Sequence, residues 1–294
     1  MTHSQWDKKL TKKHTLLILF VMFLLGSAYP TAKLGINASV PPILFGAMRM
    51  GIVFICLIPF CKIYIPNKKY FLPLIAFSLS MGVWVNLFLY LSIQASSIIS
   101  PLVIGAQLSI PLAIILSSIF IGETINYKKW ILIVTSFLGI LLIGFDPKIA
   151  DEIIGFLLIC CMAFFYASSQ VFSRYLKDLD VTLTNSFMGL VGFIVLILIS
   201  IFFEGNLIKN IININLNSWF LIIYSAILVS IVAHMSLFYL YKLYPVKKVF
   251  PFYALFPIFG ILQTMVIFDE IPTLIMIFGS VIVISSIYIL NKLD

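Results

Sequence analysis

Long apolar runs broken by short polar stretches dominate the chain. Ten runs stand out, at residues 14–33, 42–61, 70–93, 99–121, 129–145, 153–175, 181–203, 218–241, 249–268 and 273–290. Each has about 17–25 residues, the length an α-helix needs to cross a bilayer core. Polar breaks such as Pro66-Asn67-Lys68-Lys69, Asp146-Pro147-Lys148 and the asparagine-rich stretch 213–217 separate them. No break is long enough to hold a soluble domain. The pattern predicts an all-α membrane protein of ten transmembrane helices.

Composition agrees with the pattern. Of 294 residues, 62% are hydrophobic and 10% charged, and the mean hydropathy is +1.14. A water-facing surface on a chain this long needs about a quarter of its residues charged. The net charge of +8 on a soluble chain would point to nucleic acid. Here the lysines sit in the breaks, where topology places them, and no nucleic-acid partner is expected.

Their distribution gives an orientation. With the N-terminus inside and the loops assigned alternately, fifteen of the 19 basic residues fall on the cytoplasmic side: Lys8, Lys9, Lys12, Lys13, Lys62, Lys68, Lys69, Lys128, Lys129, Arg174, Lys177, Lys242, Lys247, Lys248 and Lys292. Only Lys33, Lys148 and Lys209 fall outside, and Arg49 lies within a run. Basic residues of short loops are retained in the cytoplasm, so both termini are expected there. The first run, preceded by lysines and ending Gly26-Ser27-Ala28, also has the shape of a signal peptide. Cleavage would leave nine runs and break the repeat described next, so the run is read as a retained helix.

The two halves echo one another. Ile110-Pro111-Leu112 leads to Gly122-Glu123, and Phe256-Pro257-Ile258 leads to Asp269-Glu270. Each carries a proline about midway along its run and a glutamate at the end, with one residue of difference in spacing. Gly26-Ser27-Ala28-Tyr29 pairs loosely with Ala167-Ser168-Ser169-Gln170, and Lys33 with Arg174. Five runs per half is an odd number, so the second half enters the membrane from the opposite side. Glu123 is then cytoplasmic and Glu270 external. Inverted repeats of this kind place a shared binding site near the bilayer midplane and provide a route to alternating access.

These residues resemble the drug/metabolite transporter superfamily, specifically its EamA-type carriers. The resemblance rests on Gly26-Ser27-Ala28-Tyr29-Pro30-Thr31-Ala32-Lys33, Pro41-Pro42 through Arg49, Gly105-Ala106-Gln107, Pro111, Gly122-Glu123, Pro257 and Asp269-Glu270. It runs from about residue 14 to 290 and looks nearest to bacterial efflux carriers of the cysteine and O-acetylserine type. It implies a cytoplasmic tail at 1–13, EamA repeats at 14–145 and 153–290, and export of small metabolites across the bacterial inner membrane. Leu25 departs from the pattern, since family members often carry Trp before the first glycine.

Polar groups inside the bilayer are costly and mark candidate sites. Arg49 suits a bidentate clamp on a substrate carboxylate, or serves as a structural arginine bonded to helix-end carbonyls. Gln107 lies one turn from Pro111, which frees a backbone carbonyl, and Tyr253 stands at its counterpart position in the second half. Asn86, Tyr90 and Gln94 recur at i, i+4 and i+8 as one polar stripe. Trp84 points the other way. His234 faces that stripe through the repeat and is the mid-membrane group best suited to titrate. Tyr166 and Gln170 complete the substrate-binding set, with Tyr29 and Lys33 weaker, and Lys33 read as marking the outer end of its run.

Cys56, Cys61, Cys160 and Cys161 show neither CxxC nor metal-ligand spacing and read as packing residues. No phosphate-binding loop, GxSxG or HExxH motif occurs, so neither ATP nor an intramembrane hydrolase is expected. No cofactor or metal is expected either. The partners foreseen are a small-molecule substrate, the lipid bilayer and, through the small-residue faces at Gly139, Gly144 and Gly279, a possible homodimer. Uptake of a nucleotide-like or methyl-donor cargo stands as the alternative to amino-acid export.

Overall fold

A computed structural model of the chain describes residues 10–61, 66–244 and 249–292. Lys8, Lys9, Lys62, Lys247 and Lys248, counted above toward the cytoplasmic side, lie outside the described residues, as does the tail before residue 10.

The described residues contain no strand. They form eight apolar helices long enough to cross a membrane: α1 (Lys12–Asn37), α2 (Pro42–Phe60), α3 (Lys68–Gln94), α4 (Ser100–Ile121), α5 (Tyr127–Gly144), α6 (Ile153–Tyr175), α7 (Val181–Glu204) and α8 (Leu216–Leu237). Two shorter apolar helices follow, α9 (Phe252–Phe268) and α10 (Leu274–Leu290). The ten runs thus appear as eight long helices and two that fall just short of that length.

Burial is arranged for an apolar solvent. Phe202 is 83% exposed and Val266 82%, while Asn86, Gln107, Lys33 and many serines are buried. A soluble protein shows the reverse distribution. With little hydrophobic drive between helices in lipid, close backbone approach supplies much of the packing. A Cβ on Gly26 would lie 2.7 Å from the Gly260 nitrogen, so α1 and α9 cross there with no room for a side chain. Gly139 and Gly279 form a second such crossing between α5 and α10, where a Cβ on either would approach the other's carbonyl oxygen to 3.0 Å or less. Those two glycines are therefore occupied in packing within the chain.

The repeat reappears in the irregularities of the helices. Both α3 and α8 widen into π-helical turns, at Ser78–Trp84 and Ser225–Val232. Both α4 and the start of α9 tighten into 3₁₀ turns, at Ala106–Leu108 and Phe250–Leu255. Finally, α4 stops at Gly122 with φ +80 and α9 at Asp269 with φ +54, both left-handed. Such a conformation is ordinary for glycine and uncommon for aspartate. Each left-handed stop sets the direction of the glutamate that follows it.

Candidate functional site

A cavity of about 1120 Å³ runs into the bundle between the two halves. Its depth is walled by Tyr29, Arg49, Asn86, Tyr166, His234 and Tyr253, and it reaches the surface past Glu123, Thr124 and Arg174. Six of the nine residues picked from sequence line it: Arg49, Asn86, Tyr166, Gln170, His234 and Tyr253.

Arg49 is its organising group. Its Nε donates to Ser230 Oγ at 2.9 Å, and Nη1 donates to Tyr90 Oη at 3.1 Å and Asn86 Oδ1 at 3.4 Å. Nη2 has no hydrogen-bond partner among the described residues, which leaves two N–H donors for an anion.

The π-helical turns explain how these partners are aimed. A π turn misaligns the i→i−4 ladder and frees carbonyls for side chains, a feature common at functional sites. Asn86 Nδ2 donates back five residues to Met81 O at 3.0 Å, and Ser230 Oγ to Ser225 O at 2.9 Å. His234 Nδ1 lies 3.2 Å from Val229 O, also five residues back. A carbonyl only accepts, so that contact places the proton on Nδ1 and makes Nε2 the acceptor of the neutral ring. Asn86 and His234 hold matching places just beyond their π turns, one in each half.

The other three residues lie elsewhere. Tyr90 is fully buried behind Arg49 and supports the guanidinium instead of lining the cavity. Gln94 is exposed and lines a separate hollow of about 400 Å³ beside Pro41, Pro42 and Glu204. The stripe of Asn86, Tyr90 and Gln94 thus leaves the cavity before its third member. Gln107 is 1% exposed, and neither amide atom has a hydrogen-bond partner. Its counterpart Tyr253 does line the cavity. The 3₁₀ stretch has three residues in α4 and six in α9. A 3₁₀ helix turns about 120° per residue against about 100° in an α-helix, so three extra residues rotate the face by about 60°.

Ser230 was not found by sequence reasoning. It stands one turn before His234, on the same face, a spacing that carries the signal once His234 is suspected. Ser109, Ser117 and Asn185 also line the cavity, as do Met50, Met81, Met162, Met188 and Met235. Cys56, Cys61 and Cys160 are half-buried and Cys161 is exposed, all as free thiols. Among the described residues no group of His, Cys, Asp or Glu side chains is placed to hold a metal ion.

Opposite the mouth, the bundle is sealed by charged side chains bound to backbone. Glu270 accepts from Ile99 N at 2.6 Å, Ser100 N at 2.9 Å and Ser100 Oγ at 2.7 Å. Glu204 repeats this on α2, accepting from Ile43 N at 2.6 Å and Leu44 N at 2.9 Å. Lys33, which sequence placed at the outer end of its run, is buried and donates to Ile93 O at 3.2 Å and to Ser96 O. Glu152 accepts from Ser97 N at 2.7 Å. The connection between α3 and α4 is thereby held from three directions. At the mouth, Arg174 and Glu123 instead pair with each other at 2.9 Å, with their side chains 62% and 45% exposed.

The EamA-like transporter family matches residues 12–145 and 153–292. The chain belongs to that family. The two matched segments are the two halves described above, and the EamA membership together with the apolar helices makes this a multi-pass membrane transporter. Among individual relatives, an "Uncharacterized transporter in sor 3'region" of Acidianus ambivalens is 31% identical over 157 residues, covering 53% of this chain. The chain spans 59% of the length of that relative. A solved structure described as "Crystal structure of protein" superposes with a TM-score of 0.62 at 16% identity, covering 95% of this chain and 96% of its own. That likeness bears on the fold alone, and it extends along nearly the whole chain.

Proposed function

We propose that this EamA-type transporter exports amino acids or amino-acid derivatives by alternating access, through the cavity centred on Arg49. The reading takes ten crossings in two inverted halves, both termini in the cytoplasm and a bacterial inner membrane. On the positive-inside distribution of Lys and Arg, the mouth beside Glu123 and Arg174 is cytoplasmic, and the cavity is ready to load from the cell.

The observation that carries the cargo class is the pairing of opposite functions across the cavity. Arg49 offers Nη2 donors with no partner among the described residues, which suits a carboxylate. His234 offers an acceptor at Nε2 once Nδ1 donates to Val229 O, which suits an ammonium. Tyr29, Tyr166 and Tyr253 add hydroxyls and ring faces, and the five methionines adapt to varied apolar side chains. A zwitterion satisfies both polar groups. A plain carboxylate leaves the His234 acceptor unused, and a plain cation meets Arg49.

The test is efflux from proteoliposomes preloaded with a panel of labelled amino acids, with and without a pH gradient. Efflux of zwitterionic amino acids but not of matched carboxylic acids supports the reading. Flux of nucleotide-like or methyl-donor compounds with none of any amino acid overturns the cargo and leaves uptake of those compounds as the better account. His234→Gln is expected to weaken any dependence on the pH gradient; unchanged dependence removes His234 from proton coupling.

A further inference from the structure

We infer that Glu123 and Arg174 are the gate residues of the opposite conformation. In that state, Glu123 leaves Arg174 and takes the backbone N–H groups of Val249 and Phe250, closing the mouth that is open here. The inference rests on the alternating-access reading above.

The closed end supplies the template. There Glu270, placed by the left-handed stop at Asp269, accepts from Ile99 N and Ser100 N in the first turn of α4, just ahead of Pro101. The chain builds the same parts at the mouth. Glu123 follows the left-handed Gly122, and the first turn leading into α9 reads Val249-Phe250-Pro251 against Ile99-Ser100-Pro101. Among the described residues, no side chain caps that first turn in this state. Of the other helices starting at this end, α1, α5 and α7 carry their own caps, Thr11 on His14 N, Asn126 on Lys129 N and Asp180 on Leu183 N, while α3 begins after Asn67 without one. Of the two uncapped starts, the one leading into α9 is the counterpart of the start that Glu270 holds.

Lys33 and Arg174 extend the correspondence. Lys33 seals the closed end through carbonyls at the end of α3, and Arg174 holds the matching place at the end of α6. At the open end these two types of residue neutralise each other. An ion pair this exposed contributes little, whereas a carboxylate receiving two backbone N–H groups at a helix start makes stronger, charge-assisted bonds. Glu123 therefore favours the state in which it caps over the state seen here.

That sign separates the inference from an ordinary rim salt bridge. If the pair merely stabilised the open mouth, Glu123→Gln would depopulate the present state; the gate predicts that it accumulates. The experiment uses the full chain with its four cysteines changed to alanine and Ser109→Cys on the cavity wall. A membrane-impermeant maleimide is applied to right-side-out and inside-out vesicles, with Thr124→Cys in parallel to report which end faces the reagent. Glu123→Gln should raise the ratio of labelling from the Glu123 end to labelling from the Glu270 end by roughly fivefold. Val249→Pro, which removes one acceptor-seeking N–H and leaves every charge in place, should do the same and carries the test if Glu123→Gln fails to accumulate. Glu270→Gln should lower the ratio by a similar factor. A ratio that falls or stays fixed in both Glu123→Gln and Val249→Pro overturns the gate. Absence of labelling from the Glu270 end in every variant, including Glu270→Gln, overturns alternating access itself. No cargo enters the measurement.

Discussion

At one end of the bundle, Lys33, Glu204 and Glu270 each bind backbone atoms of another helix. At the other end, Arg174 and Glu123 bind each other in the open. The two ends hold charged residues of the same kinds, placed by matching left-handed stops and matching helix ends, yet one end is shut and the other is a mouth. What differs is whether a charge is joined to a helix terminus across the bundle. A carboxylate on a helix start fixes where that helix sits relative to its neighbour, while two exposed side chains joined at their tips fix little. The ends also differ in number. Glu204 clamps α2 at the closed end, but the matching end of α2 reads Leu57-Ile58-Pro59-Phe60-Cys61 and has no carboxylate. The closed end therefore has one clamp that the other end cannot reproduce, which favours the conformation described here.

The comparison is broken most directly by Lys33→Met. The substitution leaves Ile93 O and Ser96 O buried without their donor and should lower stability by about 2–3 kcal/mol. Arg174→Met should cost less than about 1 kcal/mol. Thermal unfolding of both variants in one detergent measures the contrast, and equal losses would erase it. Next in size, Glu270→Gln should cost about 1–2 kcal/mol through its weakened backbone caps, against about 0.5 kcal/mol or less for Glu123→Gln, in the same assay. The smallest effect is that of salt. Raising ionic strength toward about 1 M screens exposed charges beyond about 3 Å, so it should weaken the Arg174–Glu123 pair and leave the half-buried Glu270 caps nearly intact. The stability cost of Glu270→Gln should accordingly survive high salt.

Much of this architecture was legible in the sequence because lipid imposes a simple rule: a crossing helix must be apolar and about 20 residues long. The apolar runs, the paired prolines and the paired glutamates were all visible. Arg49 was visible for the same reason, as a charge inside an apolar run. The partners were not. Ser230 is one of many serines that membrane helices tolerate, and only the π turn of α8 brings it to Arg49. Gln107 and Tyr253 hold equivalent positions in sequence, but the unequal 3₁₀ stretches turn Tyr253 into the cavity and leave Gln107 buried in packing. Gln94 shares the helix face of Asn86 but lies two turns further on, beyond the cavity. Lys33 looked like a boundary marker, since nothing in a linear pattern shows that its ammonium is buried on the carbonyls ending α3. Local pattern fixes where helices run, whereas the partner of a given polar atom depends on local winding and on contacts between distant segments.

The central claim is that Arg49 holds the cargo's carboxylate in the cavity between the halves. It is tested most directly by amino-acid efflux from proteoliposomes containing the native chain, Arg49→Ala or Arg49→Lys. The account predicts a loss of roughly 100-fold or more in Arg49→Ala and a smaller loss in Arg49→Lys, which keeps the charge and gives up the planar fork. Efflux in Arg49→Ala at the native rate, with the protein folded and correctly inserted, would contradict it.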